Sequence, residues 1–214
     1  MSKSQSLLIA NLVDDLQPVA ALSTRRGAAT IFASVAMTLV TVAFAIGLRP
    51  ALFDGSFDPI FLLSSGSFLM LGSAAAATVI GLSRPQVGNN HNGWVWAALM
   101  TALLPISAVI MSLFGNSAEI GAEFAEHGLA CLATGTAFGT LTGASLTLWL
   151  RQGAPTSPTL AGLLTGVAAG SFGIFAVSMH CAYSEILHIG IWHSLVVVVS
   201  AGLGRLLVPL AIRW

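Results

Sequence analysis

Apolar residues gather along the chain in six long runs, at roughly 28–48, 60–82, 94–114, 128–150, 159–179 and 190–210, separated by short polar breaks. Each run reaches the ~20 residues with which an α-helix crosses ~30 Å of hydrocarbon. The breaks hold the charges and turn formers: Arg49-Pro50 to Asp58-Pro59, Arg84-Pro85 to His91-Asn92, Asn116 to His127, Arg151 to Pro158, and His180 to His188. Ala, Gly and Ser fill the runs, which suits helices packed closely on one another. The pattern predicts an all-α, polytopic transmembrane bundle of six helices over residues 28–214, preceded by a short amino-terminal segment, 1–27. A cleaved signal peptide is the competing reading of the first run, since Arg25-Arg26 precede it and Ala43-Phe44-Ala45 stand near its end. The apolar stretch before that site exceeds the ~7–15 residues of a signal peptide, and the leader carries two aspartates, so a retained span is expected.

Composition agrees with a bilayer as solvent. The 214 residues are 56% hydrophobic and 7% charged, with mean hydropathy +0.88. A soluble domain commonly has about a quarter charged residues to cover its exterior. A net charge of zero leaves no electrostatic footprint for direct nucleic-acid binding. The basic residues set orientation, because they stay on the cytoplasmic side of a membrane. In a six-span arrangement Lys3, Arg25, Arg26, Arg84, Arg151, Arg205 and Arg213 share one side and Arg49 alone takes the other. Both termini are therefore expected inside. Trp94, Trp96, Trp149 and Trp214 fall at inner span ends and Trp192 at an outer one, as interfacial anchors do.

Two residue groups carry candidate chemistry. Gly135, Gly139 and Gly143, and again Gly162, Gly166 and Gly170, recur every four residues and give the fourth and fifth spans flat faces for helix packing. Cys131 lies four residues before the first ladder and Cys181 eleven after the second, so at ~100° per residue both project within roughly 40° of the glycine faces. Were the ladders to face each other, the thiols would too, at the outer end of an antiparallel pair. Glu126, His127, His180, Glu185, His188 and His193 collect at that same end. Thiolate and imidazole ligands suit Zn, Cd or Cu ions, and two thiols in an oxidising compartment can instead form a disulfide. Cys131 and Cys181 are thus candidate metal or disulfide partners, with His127, His180 and His188 as candidate neighbours. There is no CxxC and no tight ligand spacing, and the alternative for each cysteine is a small buried hydrophobe. No obligatory cofactor is implied.

The amino-terminal segment is the one substantial element on the inner side. On a helical wheel Leu8, Ile9, Leu12, Val13 and Leu16 share a face, with Asn11, Asp14, Asp15 and Gln17 around the other. Pro18 ends or kinks that helix. Helices that lie on anionic lipid carry Lys or Arg on the polar face, whereas Asp14 and Asp15 would be repelled. A groove on a partner protein fits this amphipathic helix better.

Several motifs together resemble the NrsF family: Leu12-Val13-Asp14-Asp15-Leu16-Gln17-Pro18-Val19, Gly47-Leu48-Arg49-Pro50, Arg151-Gln152-Gly153-Ala154-Pro155, Met179-His180-Cys181 and Ile212-Arg213-Trp214. The family pattern tends toward Arg-Arg-Gly-Ala-Pro and a final Leu-Arg-Trp, where this chain has Gln152 and Ile212. The resemblance covers essentially the whole chain. It implies a six-span anti-sigma factor of the bacterial inner membrane, which holds an extracytoplasmic-function sigma factor until metal or oxidative stress releases it. It also implies that Leu8, Leu12, Asp14, Asp15, Leu16, Pro18 and Val19 bind the sigma factor, and that the family's paired cysteines are Cys131 and Cys181. A homodimer stays open, and no enzymatic activity is expected. The competing class is a small transporter or channel for a metal ion or small molecule. Against it, no Asp, Glu or Lys lies near the middle of any run, where ion-coupled carriers usually keep one. A membrane thiol oxidoreductase would need a reactive pair with a resolving partner, and one isolated cysteine on each of two helices argues against turnover.

Overall fold

A computed structural model describes residues 3–14, 22–84, 93–114 and 122–212. Among these residues the regular structure is entirely helical. The order is α1 (Lys3–Asp14), α2 (Thr24–Ala45), a single turn α3 (Ala51–Asp54), α4 (Pro59–Leu82), α5 (Gly93–Phe114), α6 (Ala122–Arg151) and α7 (Pro158–Ser178). The chain closes with α8 (Ile186–His188), a π-helical turn (Ile189–His193) and α9 (Ser194–Ala211), which run on without a break. Local chemistry fixes the starts. Asp58 accepts a 2.7 Å hydrogen bond from the Ile60 N–H, and Pro59 and Pro158 occupy first-turn positions of α4 and α7, where no donor is missed.

Five segments are long and apolar enough to cross a membrane: Thr24–Ala45, Pro59–Leu82, Phe124–Arg151, Pro158–Ser178 and Ile186–Ala211. The expected third span coincides with α5, whose apolar stretch, Trp94–Ile110, is shorter than the other five. Large apolar side chains point outward from these helices. Phe44 is 88% exposed, and Phe32, Met70, Leu103 and Leu206 are exposed as well, the reverse of a water-soluble surface. Four buried hydroxyls are satisfied within their own helix: Thr38, Thr78, Thr165 and Ser178 each donate to the carbonyl four residues earlier.

The helices alternate in direction, and the bundle has two distinct ends. At one, Trp94 and Leu150 pack with Ile80, Leu164 and Val208. There Trp149 donates to the Ser83 hydroxyl at 3.1 Å, the Ala154 N–H bonds the Ser83 carbonyl at 3.0 Å, and Arg84 donates to the Leu22 carbonyl and the Thr24 hydroxyl. At the other end Phe68, Leu104, Ile174, Val177, Ile189 and Val196 form a second cluster.

The core of the bundle is α7, buried along nearly its whole length. Its two sides meet different neighbours. A methyl group on Gly166 would fall on the Ser200 carbonyl of α9, and one on Gly162 would stand 2.6 Å from the Gly204 carbonyl. On the opposite side a methyl on Gly139 of α6 would stand 2.5 Å from the Ala169 carbonyl, and one on Gly173 would fall on the Gly135 carbonyl. The two ladders therefore do not face each other: the ladder of α6 meets Ala169 and Gly173, while that of α7 meets α9. Gly143 is looser, with only the Ala169 methyl at 3.4 Å.

Gly166→Ala is expected to lower stability in detergent by about 1–3 kcal/mol, because two backbones must separate. Gly202→Ala meets nothing within 4 Å and should be neutral or slightly stabilising. Thermal unfolding of both variants beside the parent checks the contrast, and equal midpoints would show that the α7–α9 approach is not limiting.

Candidate metal and thiol site

Four side chains from three elements converge beside the second cluster. Cys131 projects from α6 and is half-buried. Cys181 lies just past α7, where the chain keeps one more turn: the Cys181 and His180 N–H groups both bond the Val177 carbonyl at 2.9 Å. Its sulfur stands 3.7 Å from that of Cys131, so the two are unbonded thiols in hydrogen-bonding contact. His188 ends α8 with its Nε2 3.8 Å from the Cys181 sulfur. His193 ends the π-turn, and its ring lies edge-on to that of His188 with centroids 5.3 Å apart. Both imidazoles are almost wholly buried. One ligand atom from each of Cys131, Cys181, His188 and His193 lies within 4.8 Å of every other.

The loop after α2 grips the chain on either side of Cys181. The Arg49 N–H bonds the Met179 carbonyl at 2.9 Å, and the Arg49 guanidinium donates to the Ser184 hydroxyl at 3.2 Å. That guanidinium also lies 4.5 Å from the centre of the Phe61 ring. Gly47, at φ +83, turns its carbonyl toward His180 Nδ1 at 3.2 Å. Two motifs far apart in sequence, Gly47-Leu48-Arg49-Pro50 and Met179-His180-Cys181, thus clasp each other.

The sequence-based candidates separate accordingly. Cys131, Cys181 and His188 are brought together. His180 is exposed and engaged with Gly47, and His127 is exposed with its Nε2 3.2 Å from the Tyr183 hydroxyl, so neither joins the four. His193 takes the remaining place. Sequence reasoning put it at this end without assigning it; residues 188 and 193 do not share a face in an α-helix. Leu12 and Asp14 lie on α1, where Leu7, Ile9, Leu12 and Val13 are exposed. Leu8 is helical, and Asp15, Leu16, Pro18 and Val19 fall outside the described residues.

The donor set fits a thiophilic metal ion. With Zn–S near 2.3 Å and Zn–N near 2.0–2.1 Å, a tetrahedral ion holds its ligands about 3.3–3.8 Å apart, the nitrogen pair being closest. The sulfur–sulfur and sulfur–nitrogen separations of 3.7 and 3.8 Å are already there. Bringing atoms that lie within 4.8 Å of one another to these distances takes at most about 1–1.5 Å of side-chain movement. Neither ring nitrogen of His193 makes an ordinary hydrogen bond, although both are buried. The hydrogen bond from the Cys131 thiol, and after it the neighbouring imidazoles, hold the Cys181 thiol below its usual range against the opposing pull of burial.

The family model described as negative regulator of sigma F, NrsF, matches residues 12–214. The chain belongs to the NrsF family. It is 26% identical over 170 residues, 78% of each chain, to the anti-sigma-F factor NrsF of Caulobacter vibrioides (strain NA1000 / CB15N). It is 26% identical over 159 residues, 73% of each chain, to the probable anti-sigma-F factor NrsF of Azospira oryzae (strain ATCC BAA-33 / DSM 13638 / PS). No solved structure matches. The NrsF match begins at Leu12, so it takes in Asp14 to Val19 but not Leu8.

Thiolate is the form of cysteine that reacts with alkylating reagents, so the reactivity of Cys181 should persist well below the usual thiol midpoint of about 8.5. In Cys131→Ala the strongest influence holding Cys181 down is lost, and the midpoint should move up. Rates of alkylation against pH in detergent-solubilised protein, with adducts located by mass spectrometry, measure both. Equal midpoints would show that Cys131 does not stabilise the Cys181 thiolate.

Proposed function

We propose that this NrsF-family chain is an anti-sigma factor of the bacterial cytoplasmic membrane, with six spans and both termini inside. Residues 1–27 sequester a sigma factor of the extracytoplasmic-function type, and the bundle of residues 28–214 releases it when metal or oxidant acts on Cys131 and Cys181. The observation that carries the reading is the convergence of both cysteines with two buried histidines at one end of a family member's bundle. The basic residues argue for the orientation, since Arg84, Arg151 and the leader share one side and the thiols lie toward the other.

The parts divide between the two sides. Leu8, Leu12 and Leu16 supply an apolar stripe to a groove on the sigma factor, with Pro18 and Val19 at its end. Asp14 and Asp15 meet basic side chains such as a promoter-binding protein carries. At the thiol end, Cys131 and Cys181 would hold a Zn, Cd or Cu type ion or, under oxidation, join as a disulfide. Either event stabilises one arrangement of α6 against the α7–α8 loop. It can move the sigma-binding equilibrium only by the difference in its affinity for the bound and released states.

Pull-down of the intact chain from solubilised membranes, with identification of the captured cytoplasmic protein, tests the partner directly. Replacing Leu12 and Leu16 with Ala should weaken binding by roughly ten- to several-thousand-fold if each anchor contributes about 1–3 kcal/mol, and cells should transcribe the sigma regulon without stress. A chain lacking residues 2–20 that inserts normally and still represses would remove the sigma-binding assignment.

The sensor is tested separately. Cys131→Ser and Cys181→Ser should each abolish induction by a thiophilic metal while leaving membrane insertion and basal repression intact. Normal induction in the double variant would return both cysteines to a packing role.

A further inference from the structure

The two thiols alone offer an ion two ligands, and the helix beyond them supplies the rest through an unusual winding. In an α-helix, residues five apart point about 140° away from each other. His188 and His193 are five apart, yet they face the same two sulfurs because Ile189–His193 is wound as a π-turn. A hydrogen-bond step of i→i+5 brings residues of that spacing nearly one above the other, and such turns are rare and frequent at functional sites.

Packing on both sides holds this winding in place. A methyl on Gly190 would stand 2.5 Å from the Leu104 carbonyl of α5, and further along the same helix Ser200 and Gly204 are pressed on Gly166 and Gly162 of α7. The segment between those contacts must therefore take up its extra residue locally. The result is a buried His193 with two unbonded ring nitrogens, aimed at the cysteines and stacked at an angle on Phe68.

Charge selects the class of ion. Two thiolates and two neutral imidazoles around a doubly charged ion sum to zero, the least costly total charge at the edge of a hydrocarbon layer. We propose that His188 and His193, set on one face by the π-turn, complete a Cys2His2 site with Cys131 and Cys181 for a divalent, thiophilic ion of the zinc group. This rests on the metal arm of the function proposed above and extends it from a thiol pair to a four-ligand centre.

The test uses the purified full-length chain, reduced and in detergent, with Cd2+ as the probe. One ion should bind per chain, with thiolate-to-cadmium charge-transfer absorption and a 113Cd resonance characteristic of two sulfur and two nitrogen ligands. His193→Phe, which keeps a ring in the core, and His188→Ala should each weaken binding by at least the 10–100-fold that loss of a supporting partner costs, and should shift the resonance away from the mixed-ligand position. His127→Ala should bind as the parent does. Parental affinity and resonance in both the His188 and His193 variants would overturn the proposal, as would a signature of sulfur and oxygen alone. The two levels fail separately. A Cys2His2 cadmium complex in cells whose sigma regulon never responds sinks the anti-sigma reading and spares the site. A metal-responsive regulon together with histidine-independent cadmium binding does the opposite.

Discussion

Backbone-to-backbone approach of α7 to its neighbours is the constraint from which the rest of the bundle follows. Lipid tails are as apolar as leucine, so helices in a bilayer gain little from hiding hydrophobic surface and depend on close contact. Here Gly166 and Gly204 bring α7 and α9 together until carbonyls occupy the space of missing side chains, and Gly139 and Gly173 do the same for α6. With three helices locked in this way, the positions of Cys131 on α6, Cys181 after α7 and the histidines before α9 are no longer independent. A site assembled from three elements needs such a frame, because its ligands must start close to their final geometry.

How much of this the chain reveals by itself depends on the physical origin of each feature. The helices were legible because hydropathy and proline-marked starts are local: α4 begins at Pro59 and α7 at Pro158, within one residue of the expected 60 and 159. The pairing of the glycine faces was not, since a stripe of small residues says that something comes close but not what. The ladder of α7 meets Ser200 and Gly204, while α6 rests on Ala169 and Gly173. The thiols nonetheless meet, because Cys181 is directed by the loop clasped to Gly47 and Arg49 rather than by the helical wheel of α7.

His193 illustrates a different kind of illegibility. Helical periodicity assumes 3.6 residues per turn, which puts a histidine five positions beyond another on a different face. Only the winding of Ile189–His193, imposed by contacts on α5 and α7, returns it to the cluster. The same tertiary origin explains His127 and His180. Both lie at the right depth, and both are claimed by other partners, Tyr183 and Gly47.

In the function proposed above, the length of α6 would govern how an event at the thiols reaches the far side. This single unbroken helix carries Cys131 near one end and Trp149, the hydrogen-bond partner of Ser83, near the other, a separation of about 27 Å. A helix is stiff along its axis, so α6 would act as a push-rod rather than a spring, carrying a displacement at the cysteine to the tryptophan with little loss. Ser83 adjoins Arg84, and Arg84 grips Leu22 and Thr24, where the amino-terminal leader enters the bundle. Such a load path would run from the thiols, through one rod and one bracket, to the root of the leader.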